Sequence, residues 1–529
     1  MNVNHATPVR YPGLGNGLAA NRDLGAGDVI IGISNPFLIV VENAALDRVC
    51  SECLFETPGS LKRCTACKVA QYCSVTCQSV AWKSIHKEEC RIYKKLPQVA
   101  PTAVRGLIQL LLRKEISALA PDSRWAELEG HAAELQKHNR WDEIVLQAKA
   151  AVEWTASPQS YMEPAVHVLC RVCLESFLGK RVLTSFQMAT NAFRATLADN
   201  TPIGLCFEPM ASLANHSCVP NATIMFDGRH MTLRALDDIK MGEQVFISYI
   251  DGTQTKVERQ QELADRYFFK CQCEKCEQDN GPYRTFLKSH PTLDSKLELF
   301  HTQKEVREVA QARSSDVPPV NIENFQPEVN RLLSRSRDPS ITSAQRLAFL
   351  TEALAVAKPL RHRGQFAQSP CPFILHELYL HYLANDSTYA QALSLILFIY
   401  LNSDVYNYPQ PHHPIRVTRL FTIAKLLKNI EGLKTTDVVS ANQTLLLCVR
   451  RLAARSHGPE SRFMKEVEEE IKDVETVQKT RGEVGARLQE WERTGVIAET
   501  DSGREYARKI FEGLRDIAKD GLDGAKSEV

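Results

Sequence analysis

The chain has 529 residues, of which 44% are hydrophobic and 24% charged, and a formal net charge of +1. This length exceeds one ordinary hydrophobic core, so about two to four structural units are expected, and the composition excludes a wholly disordered chain. The small net charge excludes a global field that attracts nucleic acid or anionic membranes. The longest apolar runs, 37–41 and 393–401, are far shorter than the ~20 residues that span a bilayer, so no membrane segment is expected.

The cysteines are numerous and clustered. There are sixteen in the chain, and the first residues, Met1 to His5, lack the apolar region of a secretory signal. Clustered cysteines in a large chain without such a signal favour metal binding over disulfides. A reducing compartment, the cytoplasm, the nucleus or both, is therefore expected.

The first 45 residues predict a glycine-rich turn followed by two short strands. Gly13, Gly15 and Gly17 form the turn, and residues 28–33 and 37–41 have the composition of strands. The turn lacks the third-glycine spacing of a dinucleotide-binding loop, and no strand–helix–strand unit surrounds it. Its glycines are better interpreted as letting the backbone approach a bound cofactor.

Residues 50–90 contain four pairs of potential metal ligands: Cys50/Cys53, Cys64/Cys67, Cys73/Cys77 and His86/Cys90. These eight sulfur and imidazole ligands make two tetrahedral sites, which zinc prefers. The pairs that are four residues apart are predicted to share a helix face. The order of the pairs predicts interleaved sites, one of Cys50, Cys53, Cys73 and Cys77 and the other of Cys64, Cys67, His86 and Cys90. Metal binding must supply much of the folding free energy of so small a segment.

Residues 100–195 predict helices, because apolar residues recur three or four apart over 104–112, 125–136, 141–154 and 162–178. The helical pattern returns from about residue 283 to the end of the chain. It includes a charged helix over 462–491, and its helices are paired and of tetratricopeptide-like length.

Between these helical regions the sequence changes to the period of strands. Segments 222–226 and 231–235 flank Asp227-Gly228, a strong hairpin signal. The hairpin is preceded by Asn215-His216-Ser217-Cys218-x-Pro-Asn and followed by Gly242-Glu-x-x-x-Ile-Ser-Tyr249. A hydrolase dyad of His216 and Ser217 is disfavoured, because neighbours on one backbone rarely face each other and no nucleophile elbow is present.

These two motifs at this separation closely resemble the SET domain. The metal-ligand spacing of 50–90, with Tyr72-Cys73 and Trp82, is similar to that of the MYND zinc finger. A SET domain interrupted in this way resembles the SET and MYND domain-containing protein-lysine methyltransferases, and the resemblance covers residues 1–280 well. It implies an α+β fold with a mostly β SET core, split by the MYND finger and a helical insertion, and followed by a zinc-bound post-SET segment and an α-helical, tetratricopeptide-like C-terminal domain. The implied domains are the first part of SET (1–49), the MYND finger (50–90), the helical insertion (91–190), the SET catalytic core (191–255), the post-SET segment (256–282) and the C-terminal domain (283–529).

The resemblance also implies an activity, S-adenosylmethionine-dependent methylation of a lysine in a histone or non-histone protein. Tyr249 would be catalytic, and Phe193 and Tyr267 would line the lysine channel. His131 follows Leu128-Glu129-Gly130, where glycine replaces a serine of the family. The implied cofactor contacts are Gly15, Asn16, His131, Asn191, Asn215, His216, Tyr249 and Phe269.

A second cysteine cluster predicts a third zinc. Cys271, Cys273 and Cys276 supply three thiolates, one fewer than a tetrahedral zinc needs. Cys218 is predicted as the fourth ligand, and the resemblance implies the same. This zinc would hold Tyr267 and the following segment over the active site, so its loss should damage the site as well as stability. The chain would then carry three structural zinc ions.

The alternative function is a MYND-based adaptor or transcriptional regulator with a weak or inactive SET domain. Gly130 and the unusual segment 205–209 favour it, whereas the presence of Asn16, Asn215 and Tyr249 disfavours it. The resemblance implies proline-containing peptides as MYND ligands, and a monomer is expected. The basic set Lys62, Arg63, Lys68, Lys83 and Lys87 is interpreted as a solvated face rather than a nucleic-acid site.

Overall fold

The protein is described here from a computed structural model. It describes residues 3–57, 59, 61–114, 128, 131–137, 141–172, 191–278, 281–289, 300–314, 320–428, 435–479 and 512–519. The chain divides into two compact units, the first of residues 1–251 and 259–271, the second of 252–258 and 272–529.

The first unit holds all the strands that the described residues form. In chain order they are β1 (Val3–Asn4), β2 (Ala6–Tyr11), β3 (Gly15–Ala20), β4 (Val29–Ile33), β5 (Leu38–Val41), β6 (Lys62–Arg63), β7 (Gln71–Tyr72), β8 (Ala192–Thr196), β9 (Pro202–Phe207), β10 (Asn215–His216), β11 (Ala222–Asp227), β12 (His230–Ala235) and β13 (Gln244–Ile247).

These strands form three small sheets and a ribbon, with orders β1-β4-β12-β11, β10-β13-β3-β2, β5-β9-β8 and β6-β7. The predicted hairpin is present as β11 and β12, in which Asp227 pairs with His230. Its two-residue loop is therefore Gly228-Arg229, one residue later than the predicted pair. Gly228 has a φ of +59°, which suits a glycine at the first central position of such a turn. In the second sheet, β10 runs parallel to β13, and β13 pairs with β3.

The described part of the first unit also contains helices. They are α1 (Val75–Ala81), α2 (Lys87–Tyr93), α3 (Thr102–Leu112), α4 (Ala132–Lys137), α5 (Trp141–Trp154), α6 (Met162–Val172) and most of α7 (Lys256–Tyr267). Helix α3 packs on β5, and its Gly106 allows a close approach, because a Cβ there would lie 2.9 Å from Leu38. Arg105 of α3 is buried and donates hydrogen bonds to the Val41 carbonyl and to Asn43 Oδ1.

The second unit is helical throughout the part that is described. Its helices are α8 (Glu274–Glu277), α9 (Pro282–Ser289), α10 (Gln303–Ser314), α11 (Gln326–Ser336), α12 (Ser343–Val356), α13 (Lys358–His362), α14 (Cys371–Leu383), α15 (Tyr389–Ile399), α16 (Val405–Asn407), α17 (Pro414–Leu427), α18 (Thr435–Ser456), α19 (Arg462–Lys479) and α20 (512–519). Thr342 and Gln345 form a capping box at the start of α12, which satisfies two of the backbone donors that a helix start leaves open. Arg416 of α17 is fully buried and bonds the Tyr400 hydroxyl and the Pro409 carbonyl.

The predicted elements compare well where the structure describes them. The helix predicted over 141–154 has those bounds, and the strands predicted over 28–33 and 37–41 are β4 and β5. One local prediction is wrong: Cys73 precedes α1, whose N-cap is Ser74, so only Cys77 of that pair is helical. Parts of the helices predicted over 125–136, 162–178 and 462–491 lie outside the described residues, and the predicted domain boundaries stay predictions. Among the helices described, none has the length and apolar character that crossing a membrane requires.

Candidate active site and metal centres

An aromatic cluster surrounds Tyr249, which follows β13. The Tyr249 ring centroid lies 4.9 Å from that of Tyr267 and 6.4 Å from that of Phe269. The His216 ring lies 5.2 Å from Tyr249 and 6.0 Å from Phe269. Residues from β10, the end of β13 and the segment after α7 therefore meet at one point.

The Tyr249 hydroxyl is fixed as a hydrogen-bond donor. It donates to the Ala214 carbonyl at 2.7 Å, and the Tyr267 hydroxyl donates to the Tyr249 carbonyl at 3.2 Å. Burial, and then the neighbouring Tyr267, raise the pKa of the Tyr249 phenol. The phenol is therefore neutral at physiological pH, and its oxygen lone pairs remain able to accept a hydrogen bond from a nearby N–H group.

His216 is bonded through both ring nitrogens. Its Nδ1 accepts from the Tyr249 backbone N–H at 3.0 Å, and its Nε2 lies 3.3 Å from Cys218 Sγ. The side chain is 9% exposed. The cofactor contact of His216 stays a prediction.

Two buried side-chain amide nitrogens, Asn215 Nδ2 and Gln244 Nε2, crowd Gly17 of β3. Each lacks a hydrogen-bond partner among the residues described. A Cβ on Gly17 would lie 2.7 Å from Asn215 Nδ2 and 2.6 Å from Gln244 Nε2. Unpaired buried donors are costly and point to a group that the isolated chain does not supply.

Three further predicted cofactor residues, Gly15, Asn16 and His131, also belong to the first unit. Asn16 lies in β3, half-buried, and Gly15 before it has a φ of +73°. The His131 ring contacts the Phe268 ring at a tilt of 44°, with centroids 5.0 Å apart. Its neighbours Glu129 and Gly130 lie outside the described residues.

Two further predicted residues lie at β8. The Asn191 carbonyl accepts from the Ser212 hydroxyl at 2.6 Å. Phe193 is 4% exposed and pairs with Cys206 of β9 within the core. The lysine-channel role of Phe193 stays a prediction.

The first two metal groups contain the residues predicted for them. In each group the four ligand atoms lie within 4.8 Å of one another: Cys50, Cys53, Cys73 and Cys77 in one, and Cys64, Cys67, His86 and Cys90 in the other. A hydrogen bond from Cys53 lowers the pKa of the Cys50 thiol to about 4. Thiolates and a neutral imidazole at this spacing fit a tetrahedral zinc, with no position left open for a substrate.

His86 of the second group is oriented by a buried carboxylate. Glu89 is 5% exposed, and its oxygens lie 3.4 Å from His86 Nδ1 and 3.1 Å from the Tyr93 hydroxyl. Gln109 Nε2 of α3 donates to the same carboxylate at 2.9 Å. A carboxylate behind a metal-ligating histidine fixes its tautomer and orientation.

The third group is formed by the cysteines near the aromatic cluster. Within the first unit, Cys218 Sγ lies 3.9 Å from Cys271 Sγ. Cys273 and Cys276, which follow in the chain, complete a group of four sulfur atoms within 4.8 Å. This composition also fits zinc. Cys271 follows Phe269 by two residues. One residue of the third group therefore lies directly after the segment that contains Tyr267 and Phe269.

Segment 50–57 contacts the hairpin of the first sheet. Arg229 donates to the Glu52 carbonyl at 3.2 Å, and a Cβ on Gly228 would lie 2.5 Å from the Cys53 carbonyl oxygen. A cavity of about 300 Å³ lies beside this contact, and its lining includes Glu52, Glu89 and Arg229. Burial lowers the pKa of Arg229, and Glu52 opposes this effect.

Sequence reasoning missed several of these groups for a physical reason. Ala214 contributes only a backbone carbonyl, which no side-chain pattern reveals. Tyr11 lies outside the motifs and Gln244 is at an unspecified position of one, and the pairing of β3 with β2 and β13 brings both side chains near Gly17. Glu89 could have been found, because it is an acidic residue three positions after a metal-ligating histidine in a helical segment.

Comparison with known proteins places these features in a family context. The SET domain family model matches residues 15–250. A Schizosaccharomyces pombe protein named SET domain and MYND-type zinc finger protein 6 is 34% identical over 282 residues, 52% of this chain and 53% of that protein. The human protein named Histone-lysine N-methyltransferase SMYD3 is 32% identical over 269 residues, 50% of this chain and 59% of that protein. Arabidopsis thaliana Histone-lysine N-methyltransferase ASHR1 is 27% identical over 273 residues, 51% and 55% of the two chains. The chain spans about half the length of the curated relatives it matches.

Proposed function

Because residues 15–250 carry a SET domain and the similar proteins include named histone-lysine methyltransferases, we propose that this chain is an S-adenosylmethionine-dependent protein-lysine N-methyltransferase. The observation that carries the proposal is the Tyr249 cluster, in which a neutral phenol donates to a backbone carbonyl inside a box of aromatic rings. The protein substrate, a histone or a non-histone protein, is recognised through its target lysine.

The cofactor site lies around Asn16, Asn215 and His216. S-adenosylmethionine, when bound, supplies an electrophilic methyl group on a sulfonium. Asn215 Nδ2 has no partner among the described residues and is available to donate to an acceptor on the cofactor. Gly17 has no side chain, so the Asn215 amide can occupy the space beside it. The Phe269 and His216 rings, 6.0 Å apart, offer flat apolar faces for the adenosyl part, and His131 and Asn191 complete the proposed set.

The residues of the cluster prepare the lysine amine. The aromatic surfaces of Tyr249, Tyr267 and the proposed channel residue Phe193 exclude water from the lysine stem and disfavour its charged form. The Tyr249 hydroxyl donates to Ala214, so its lone pairs accept an N–H of the neutral amine and aim the nitrogen lone pair along one direction. Alignment of this kind lowers the barrier of an in-line displacement.

The finer layout is part of the same proposal. Residues 50–90 form a MYND finger with two zinc ions, Cys218, Cys271, Cys273 and Cys276 hold a third zinc in a post-SET segment, and the helices of the second unit form a tetratricopeptide-like domain. All three zinc ions are structural. The protein acts as a monomer in the cytoplasm and nucleus.

Labelled methyl transfer tests the activity. The full chain, loaded with zinc, is incubated with methyl-labelled S-adenosylmethionine and cell lysate, and labelled sites are mapped. Tyr249→Phe should lower labelling by roughly 10²-fold, the usual cost of removing one catalytic hydrogen-bonding group, while Tyr161→Phe, a half-buried tyrosine packed against the core, should label normally. Equal labelling by Tyr249→Phe would disprove its catalytic role.

A binding role for residues 50–90 is the second candidate function. Three apolar residues on and after α1 are exposed: Val75 (66%), Val80 (49%) and Trp82 (44%). An apolar surface on a small metal-bound module suits a proline-containing peptide. Calorimetry distinguishes the candidates. If S-adenosylmethionine gives no binding heat to the zinc-loaded protein but a proline-rich peptide binds, and Trp82→Ala abolishes that binding, the chain is an adaptor and not an enzyme.

A further inference from the structure

The side chain of Gln244 ends in a buried donor for which the described residues supply no acceptor. Its Nε2 atom has no hydrogen-bond partner among them, and neither has Asn215 Nδ2. Strand β13 lies between β3 and β10, so Gln244 and Asn215 reach Gly17 from neighbouring strands. A Cβ on Gly17 would lie 2.6 Å from Gln244 Nε2 and 2.7 Å from Asn215 Nδ2. The two amide nitrogens are therefore close neighbours beside one glycine.

The strand does not need this side chain to keep its place. The Gln244 backbone pairs with Ala19 of β3, and its carbonyl accepts from Asn221 Nδ2 at 2.9 Å. A buried amide nitrogen without an acceptor destabilises the folded chain, and an apolar side chain of the same length would avoid that cost. The polar group at this position is therefore better explained by a ligand than by folding.

The chemistry of the two donors limits the group that they can bind. A side-chain amide nitrogen carries two N–H donors and accepts nothing, so an ammonium or a sulfonium is excluded as its partner. A carboxylate has about four acceptor sites and can bond both nitrogens at once. Hydrogen bonds to a charged acceptor are about twice as strong as neutral ones, which offsets the desolvation of two buried amides. Of the polar groups of S-adenosylmethionine, only the carboxylate of its amino-acid part is an anion.

We propose that Gln244 is a specificity-determining residue of the cofactor site, which binds the carboxylate of the cofactor together with Asn215. This inference rests on the proposed function and deepens it, because it assigns both amides to one group of the cofactor. Gly17 contributes by having no side chain, since a methyl group there would crowd the two amide nitrogens. The protein should therefore distinguish a ligand that has this carboxylate from the same ligand without it.

Two ligands and two substitutions test this assignment by calorimetry, and no methyl transfer is needed. S-adenosylhomocysteine carries the carboxylate, and its decarboxylated analogue differs only in lacking that group. Gln244→Met removes the donor at nearly constant side-chain length, and Gln244→Glu replaces it with an anion of the same shape. Gln261→Met is the matched control, because Gln261 of α7 is exposed and donates to Asp265 of the same helix.

The two ligands should respond differently to each substitution. Gln244→Met should lower the affinity for S-adenosylhomocysteine by roughly 10-fold, the effect of losing one hydrogen bond to a charged group, and should leave the affinity for the analogue unchanged. Gln244→Glu should lower the first affinity further, because two carboxylates repel, and should not weaken binding of the analogue, whose remaining charge is positive. Gln261→Met should bind both ligands normally. If Gln244→Met binds S-adenosylhomocysteine as tightly as the unsubstituted protein, or loses affinity for both ligands equally, the inference is overturned.

The unsubstituted protein decides the matter if either variant does not fold. With two amide donors it should bind S-adenosylhomocysteine more tightly than the decarboxylated analogue, by roughly 10-fold or more, and equal affinities would overturn the inference. A failure of the proposed function is recognised separately. A chain that binds S-adenosylhomocysteine through Gln244 but labels no lysine lacks the activity, whereas a chain that methylates lysine and binds both ligands equally lacks only the carboxylate contact.

Discussion

Gly228 lies against the backbone of Cys53: a Cβ added to Gly228 would lie 2.5 Å from the Cys53 carbonyl oxygen. The hairpin of the SET sheet thus contacts the metal-binding loop with no space for a side chain. Gly228→Ala should destabilise the first unit by about 2 kcal/mol or more, because the positive φ alone costs an alanine roughly 1–2 kcal/mol and the backbone oxygen must also move. Urea unfolding measures the change.

Gly242→Ala is the matched control. Gly242 also has a positive φ, +86°, but no atom lies within 4 Å of the Cβ it would carry. The Gly242→Ala variant should lose only the unfolding free energy that a positive φ costs an alanine. If the two variants lose the same unfolding free energy, the contact between Gly228 and Cys53 contributes nothing.

Glu89 gives a prediction about the second metal group. Glu89→Gln should weaken zinc binding there by roughly 10- to 100-fold, because the carboxylate no longer orients the His86 ring. The neighbouring Glu88→Gln should have little effect, since Glu88 is half-buried and forms an ion pair with exposed Arg91. Chelator competition followed by metal analysis measures the difference. Equal zinc affinity in the two variants would show that Glu89 does not act through His86.

Much of the first unit could be predicted because its signals are local. Ligand spacing specifies which cysteines share an ion, since short pairs fix distances along the chain. The residues of the turn after Asp227 specify the hairpin, and the spacing of the apolar residues within 141–154 specifies that helix. Local rules fail where a neighbouring element intervenes: Cys73 was expected in a helix, but Ser74 accepts from the Cys77 N–H and starts the helix after it.

The site itself was only partly predictable. The motifs give Asn215, His216 and Tyr249 but not their partners. The bond from the Tyr249 hydroxyl to Ala214 spans 35 residues, and the one from the Tyr249 N–H to His216 spans 33. Such contacts depend on the parallel pairing of β10 with β13, a long-range pairing that periodicity along one segment does not encode.

Gly17 gives a prediction that tests the proposed cofactor site. Gly17→Ala should leave the fold intact, because the ends of the Asn215 and Gln244 side chains can move away from the new methyl group. The displaced Asn215 amide would no longer bond the cofactor, and the loss of one hydrogen bond to a charged group costs about 1.5–3 kcal/mol, so affinity should fall by roughly 10-fold or more. Calorimetry with S-adenosylhomocysteine measures this affinity.

Gly25→Ala is the control for that substitution. Its Cβ would meet the nearest atom, Asp28 Oδ2, at 3.9 Å, an ordinary contact, and affinity should not change. Unaltered affinity in Gly17→Ala would remove Asn215 from the cofactor site.

His413 gives a prediction of pH dependence in the second unit. Burial, and then the charges of His412, Arg416 and Arg419, lower the pKa of His413 from its ordinary value of 6.5 to about 3. Between these values the unfolded chain binds a proton that the folded chain does not. The stability is thus fully present above pH 6.5 and is lost as pH falls toward 3, with a slope of about 1.4 kcal/mol per pH unit for this one group.

His413→Asn isolates that contribution. His413 is the N-cap of α17, and its Nδ1 accepts from the Ile415 N–H at 3.3 Å. Asparagine is a favoured N-cap, so the helix start is preserved while the titrating group is removed. Urea unfolding from pH 5 to 6.5 measures the slope of the unfolding free energy against pH. In His413→Asn this slope should be smaller than in the unsubstituted protein, by the equivalent of about one bound proton. Zinc release at acid pH affects both proteins alike and cancels in the comparison. Equal slopes in the two proteins would mean that His413 takes up its proton in the folded state.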